Sequence, residues 1–251
     1  MGKKILVIAS NYGLWAEELQ APWDILKSAG HQLTLATFRG VTPLPSKMSM
    51  DPKFIDPQQG VPINPEFVVT RVNEILDSGE WDHPIKTGDA NMNDYDALVM
   101  VGGAGSALDI AGNMQVHDLI LRAYKSDKIV GALCYTVAAL AFTRDPENDY
   151  KSVIYGKHVT AHPHEWDFVG DHKFDFVRET KTNPNMKLTT NGFVFPLQFM
   201  VEDATGSRKL VKADAKASRD HPCVVYDWPF VTALSVESSI AYGNKLAEVL
   251  K

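Results

Sequence analysis

Cys134 is the residue best placed to do chemistry. It ends the apolar run Ile129–Leu133, and the small-residue stretch Val137–Phe142 follows after Tyr135 and Thr136. A cysteine at such a strand-to-helix turn stands on a sharp elbow at the carboxyl end of a sheet, where open α/β sheets place ligands. The start of a helix there favours thiolate and lowers the cysteine pKa. This context makes a nucleophile; the alternative is a buried structural thiol. Cys223, beside Pro222 and without such a context, reads as structural.

Three further groups could serve that thiol. Gly102-Gly103 closes the apolar run 97–101, and an N–H there, with the N–H of Tyr135, could form an oxyanion hole. A plain tight turn is the alternative. A dinucleotide loop is rejected, because Gly102-Gly103-Ala104-Gly105 is not G-x-G-x-x-G. Glu17 and Glu18 open a helical pattern; either they complement the helix dipole or one of them points at Cys134. His158, His162, His164 and Glu165 cluster in one segment. A Cys–His pair generates a nucleophilic thiolate, with His162 the first choice and His164 the second. Zinc fits less well, because the spacing is not H-E-x-x-H, and three solvated loop histidines remain an alternative.

Positioning these residues requires a parallel sheet. Residues 5–9 form a continuous apolar strand, and 16–29 carry Leu19, Trp23, Leu26 and Ala29 on one helical face with Gly30 as the stop. Residues 32–38 alternate as a second strand. Strand, helix and strand in succession make a βαβ unit. Six of the 14 prolines fall within residues 40–65, so 40–94 reads as an insertion on the core, with a helix over 66–76. The core resumes with a strand at 97–101, a helix at 115–125 and the elbow. One or two short strands are expected in 153–160, a strand at 224–226, and a last helix at 238–250 with Ile240, Leu246 and Val249 inward. Residues 171–191 are charged and show no clear pattern.

Composition narrows the function classes. The 251 residues carry 25 Lys and Arg against 31 Asp and Glu, a formal net charge of −6, without a basic run, so no nucleic-acid partner is expected. Two cysteines rule out a disulfide framework and fit a reducing compartment. The longest mostly apolar stretch, 129–142, is shorter than the roughly 18 residues a membrane span needs, and no targeting segment is visible. A cytoplasmic protein with no membrane partner is the expectation.

Taken together, these residues resemble the ThiJ/PfpI superfamily, in the class I glutamine amidotransferase-like group. The likeness runs through Lys4-Ile5-Leu6-Val7-Ile8, Ala16-Glu17-Glu18-Leu19, Ser28-Ala29-Gly30, the stretch from Tyr95 to Gly103, the elbow at Cys134, and Val159-Thr160-Ala161-His162-Pro163. It implies one flavodoxin-like, doubly wound α/β domain over 1–251, mostly parallel, with helices on both faces and the 40–94 insertion as lid or interface. It implies Cys134 as nucleophile and Glu18, twelve residues before Gly30, as the carboxyl that contacts its sulfur. His162 resembles the family's loop histidine, and the N–H groups of Gly103 and Tyr135 its oxyanion hole. Length and insertion resemble the larger branch of glyoxalase III-type enzymes and holding chaperones. That branch usually has a histidine directly after the nucleophile; Tyr135 stands there, so His162 must supply the base. The expected function is a cofactor-independent, metal-free cysteine enzyme acting on small electrophilic carbonyl compounds, such as methylglyoxal converted to lactate, or a related hydrolase or hydratase. A redox-sensing stress protein or holding chaperone is the second reading, and an amidase or peptidase the third. A homodimer is expected.

Overall fold

The computed structural model describes residues 2–57, 59–168, 171–175, 187–191 and 195–251. The strands in chain order are β1 Lys4–Ile8, β2 Gln32–Thr37, β3 Ile85–Lys86, β4 Ala97–Met100, β5 Ile129–Leu133, β6 Arg144–Asp145, β7 Lys151–Ser152, β8 Val159–Thr160, β9 Asp171–Asp175, β10 Lys187–Asn191, β11 Val211–Lys212, β12 Val224–Asp227 and β13 Phe230–Ala233. The helices are α1 Ala16–Ser28, α2 Glu66–Ser78, α3 Ser106–Asp109, α4 Met114–Lys125, α5 Val137–Phe142, α6 His164–Asp167, α7 Leu197–Thr205 and α8 Ser239–Val249.

Seven strands form the central sheet, in the order β12-β13-β5-β4-β1-β2-β3. All neighbours are parallel except the β12–β13 hairpin. Every residue of β4 and β5 is buried, which accounts for their unbroken apolar sequences. Helix α1 packs against α8 and α2, while α5 packs against α4 and α7. The winding direction reverses between β1 and β4, and that switch point opens the ligand crevice of such folds.

Register sets the site. Ile8 pairs with Met100, Met100 with Ala132, and Leu133 with Ala233. The carboxyl ends of β1, β4, β5 and β13 are therefore level. Gly102, Cys134 and Ser235 each follow one of these ends within two residues, and so fall in one row.

Several expectations are revised. Within the 40–94 insertion, α2 packs on α1 and β3 extends the sheet beside β2, so the irregular part is confined to the proline-rich stretch before α2. That stretch packs on the segment leading into α1. Ser46 N–H donates to the Leu14 carbonyl at 2.9 Å, Ala16 N–H to Ser49 Oγ at 3.1 Å, and Trp15 meets Phe54 edge-on. Residues 153–156 form a turn and β8 is the one strand of 153–160, within the one or two expected there. Ile240 faces out, 43% exposed, and α8 instead buries Tyr242, Gly243 and Leu246. Tyr242 lies over Gly131, where a Cβ would come within 2.4 Å of its hydroxyl, so that strand position has no room for a side chain. Of the charged segment 171–191, β9 and β10 pair antiparallel, and the remainder lies outside the described residues.

Candidate active site

The turn after β5 is a nucleophile elbow. Cys134 adopts φ +58°, a left-handed conformation that is unfavourable for a residue with a Cβ. Thr136 holds it there: its hydroxyl accepts the Leu133 N–H at 2.9 Å and donates to the Leu133 carbonyl at 2.7 Å. Strain maintained in this way is a feature of functional turns.

Cys134 is buried, as is Glu18 in the first turn of α1. The two side chains are close enough that each shifts the titration of the other. Gly102 permits the approach, since a Cβ there would lie 2.4 Å from Glu18 Oε2 and 2.7 Å from Cys134 Cβ. Ser235 Oγ, just past β13, is 3.8 Å from the Cys134 sulfur. The backbone N–H groups of Gly103 and Tyr135 lie close enough to favour the charged form of the sulfur. These are the two amides expected to line an oxyanion hole.

The electrostatics of the pair follow from burial. Desolvation holds the Glu18 carboxyl well above the usual carboxylate range, opposed by its bond to Cys134 and aided by the charges of Glu237 and Glu17. Burial also pushes the Cys134 thiol up, and a charged Glu18 pushes the same way; Gly103, Ser235 and Tyr135 pull against both. The thiol pKa depression expected from a helix N-terminus is therefore reversed. The helix that follows, α5, has six residues and is preceded by a tight helical turn, so its dipole is weak against complete desolvation. Two anions do not coexist here, so the pair retains a proton between them.

His162 follows β8 and is buried, with its Nδ1 2.7 Å from Asp167 Oδ1. Tyr135 donates its hydroxyl to the same oxygen, and Asp167 Oδ2 accepts the Leu197 N–H at 3.1 Å. The Tyr135 and His162 rings pack at 5.1 Å between centroids. Tyr135, the residue after the nucleophile, thus shares an acid with the loop histidine. His164 is turned away: its Nδ1 meets Gln198 Oε1 at 3.0 Å and its ring stacks on Phe199. His158 lies with Asp227. Glu17, adjacent to Glu18, bonds Arg219 through both oxygens, at 2.6 and 2.5 Å. Cys223 sits in a separate apolar cluster with Trp166, Ala217 and Leu234, its thiol pushed up to about 11 by burial. Among the described residues, no group of three or more His, Cys, Asp and Glu side chains is arranged to hold a metal ion. No helix of the described residues is long and apolar enough to cross a membrane.

The structure brings Cys134, Glu18, Gly103 and Tyr135 together and puts His162 against Tyr135 and Asp167; the sequence reading did not single out Asp167, Ser235 or Glu237. Asp167 had a signal, five residues after His162 and one turn along α6. Ser235 and Glu237 arrive from β13, a strand whose short run after Trp228-Pro229 offered none.

A flavodoxin-ordered sheet with a left-handed cysteine elbow one strand from its switch point, faced by a buried glutamate, defines a class of α/β protein. The chain belongs to the DJ-1/PfpI family, whose pattern it matches over residues 3–249. Among solved structures it is similar to the 24 kDa rapid encystment protein of Francisella tularensis, with TM-score 0.72 and 19% identity over 99% of each chain. It is also similar to glyoxalase III of Candida albicans, with TM-score 0.71 and 17% identity over 99% of this chain and 98% of that one. Drosophila melanogaster DJ-1beta gives TM-score 0.55 and 18% identity over 100% and 91%. An uncharacterised protein of Methanocaldococcus jannaschii is 32% identical over 75 residues, a match spanning 30% of this chain and 33% of that protein.

Proposed function

We propose that this protein is a cysteine-dependent enzyme acting on small electrophilic carbonyl compounds, with α-oxoaldehydes as the leading substrate class. The observation that carries the reading is the left-handed elbow cysteine 3.8 Å from Ser235 Oγ, with the Glu18 carboxyl and the Gly103 and Tyr135 amides near enough to act on its charge. The similarity to glyoxalase III agrees with it.

In this reading the Cys134 sulfur bonds to the aldehyde carbon. The C=O electron pair moves onto oxygen, where the Gly103 and Tyr135 N–H groups stabilise the alkoxide. The thiol proton passes to His162. With Nδ1 committed to Asp167, transfer falls to Nε2. His162 returns that proton to the alkoxide and, neutral again, takes the proton of the former aldehyde carbon and delivers it to the neighbouring carbon, while the hydroxyl proton shifts between the two oxygens of the enediol; this leaves a thioester of a 2-hydroxy acid. Water hydrolyses that thioester and returns the thiol. Overall, an α-oxoaldehyde and water give a hydroxy acid, with no external oxidant. An amide substrate would use the same sulfur and amides, with water as second reactant; that is the amidase reading.

The test is proton NMR of methylglyoxal and related oxoaldehydes incubated with wild type and Cys134→Ala. Lactate formed by wild type alone supports the reading; no product, or equal product from both proteins, ends it.

A second reading has its own observations. Ile55, Val61 and Phe67, on or beside the insertion, are 53%, 48% and 61% exposed, apolar surface that a holding chaperone would use. A protonated Glu18 would also hold a sulfinate made at Cys134 by peroxide. A Cys134 peptide gaining two oxygens from peroxide, with suppressed aggregation of a heated client, would favour this reading.

A further inference from the structure

The reacting thiol is closed over: Cys134 is 4% exposed and Glu18 1%. A substrate reaches the sulfur only if part of the cover moves. Residues 213–222, between β11 and β12, have the build of a moving part. Among the described residues, the backbone hydrogen bonds of this segment close on the segment itself. Ala217 N–H donates to the Asp214 carbonyl at 3.0 Å, and Ser218 and His221 exchange bonds at 3.2 and 3.0 Å. Its two ends are fixed: the Lys212 carbonyl accepts the Ala161 N–H at 3.2 Å, and the Cys223 carbonyl accepts the Leu234 N–H at 3.0 Å. A stretch with anchored ends and a backbone bonded to itself opens at lower cost than the sheet beside it.

Two footholds hold this strap down, and they flank the thiol. At the first, Ala217 packs with Trp166, Cys223 and Leu234. Trp166 meets the His162 ring edge-on at 5.2 Å, and Leu234 directly precedes Ser235, whose hydroxyl is 3.8 Å from the sulfur. At the second, Arg219 reaches the first turn of α1. Its Nη1 and Nη2 donate to Glu17 Oε1 and Oε2 at 2.6 and 2.5 Å, and Nη2 also donates to the Ile63 carbonyl at 2.5 Å. Glu17 directly precedes Glu18, the carboxyl brought to Cys134 by Gly102. Ser235 follows β13 and Glu18 comes from the helix after β1, strands on opposite sides of β5 and its elbow. The strap therefore crosses from the histidine side of the site to the carboxyl side. Arg219 pins it there to the helix start and to the end of the proline-rich stretch at once.

We propose that residues 213–222 gate the Cys134 site, with Arg219 as the latch: the thiol becomes accessible when the guanidinium leaves Glu17 and Ile63. This rests on Cys134 being the reacting group. The gate screens electrophiles by size, since a small one passes partial openings and a bulky one needs the latch released.

The test measures labelling of Cys134 by iodoacetamide, which is small, and by pyrene maleimide, which is bulky and also neutral. Peptide mass spectrometry separates Cys134 from Cys223. The readout is the ratio of the bulky to the small rate, because the thiolate fraction divides out of it. Glu17→Gln/Arg219→Met removes the latch without leaving a buried charge. Its ratio should exceed that of wild type by about tenfold, the weight of one charge-assisted hydrogen bond. A ratio within about twofold of wild type, in a variant that calorimetry shows to be folded, overturns the gate and leaves the nucleophile standing. Wild type gives a second measurement that needs no variant. Raising salt from about 0.01 to 1 M shortens the Debye length from about 30 to 3 Å and weakens the latch, so the wild-type ratio should rise; a flat ratio overturns the proposal. A Cys134 that resists both reagents in wild type and variant alike also overturns it, because the strap is then not the barrier. Lactate formation reports separately on the proposed reaction: a gated thiol without turnover supports this inference and ends that one.

Discussion

Gly102→Ala is the smallest change that should dismantle the site. A Cβ there would lie 2.4 Å from Glu18 Oε2, 2.5 Å from the Leu133 carbonyl oxygen and 2.7 Å from Cys134 Cβ. Leu133 is in register with Ala233 in the sheet, so its oxygen has little freedom. The carboxyl gives way most easily, and the backbone at residue 102 must also shift to relieve the Leu133 contact. Restoring an ordinary 3.4 Å contact moves Glu18 Oε2 by about 1 Å. Overpacking of this kind typically costs about 1–3 kcal/mol, so the variant should fold with a Tm lower by several degrees. A misplacement of about 1 Å at a reacting centre can lose on the order of a hundredfold in rate. The assay is Cys134 labelling by iodoacetamide against pH, with Cys223 as internal standard. The midpoint should shift by about one pH unit or more, because the thiol and carboxyl no longer exchange a proton at contact distance. A folded Gly102→Ala protein with the labelling profile of wild type would refute the argument that this glycine exists to bring Glu18 and Cys134 together.

Three other changes probe the surroundings. Asp109 is buried with its Oδ2 on the Asn11 N–H at 2.8 Å, and burial pushes its carboxyl from 3.8 up to about 6. The stability gained by its protonation is full below 3.8 and lost as pH rises through about 6, a span worth about 3 kcal/mol. Denaturant melts at a series of pH values should show Asp109→Asn with a flatter profile across that window; identical profiles would contradict this. Arg219→Met leaves Glu17 buried without its cation and should cost about 2–4 kcal/mol, discounted because Arg219 keeps about a third of its exposure. Calorimetry should find most of the loss restored by adding Glu17→Gln, and no restoration would count against a paired-charge role. On a substrate that wild type turns over, Asp167→Asn should lose about a hundredfold or more in kcat and Tyr135→Phe far less, since only the first unseats His162. Equal losses would indicate that the Tyr135 hydroxyl takes part in the reaction.

The parts of this account that were legible in the sequence are those set by local periodicity. Helix α1, strand β5 and helix α5 lie where apolar spacing and Gly30 put them, because both faces of the central strands are buried and read as unbroken apolar runs. The elbow was legible for the same reason. The illegible parts depend on distant partners. Strand β13 is four residues long and buried, too short to declare a period. The rotation of α8 is fixed by Tyr242 lying over Gly131, more than a hundred residues away, and so Ile240 faces out where periodicity alone predicts it inward. The direction of the thiol pKa depended on the depth of burial, which no spacing rule reports. Asp167 was hidden because its partners, Tyr135 and His162, come from separate segments.

The central claim is that Glu18 keeps its proton at neutral pH against the Cys134 sulfur. Infrared difference spectroscopy of wild type minus Glu18→Gln at neutral pH tests it most directly, because only a protonated carboxyl gives the free-acid carbonyl stretch. The account predicts that band in wild type, absent from Glu18→Gln and shifted in Cys134→Ala, where its hydrogen-bond partner is gone. A spectrum with the carboxylate bands of Glu18 in its place would contradict the account.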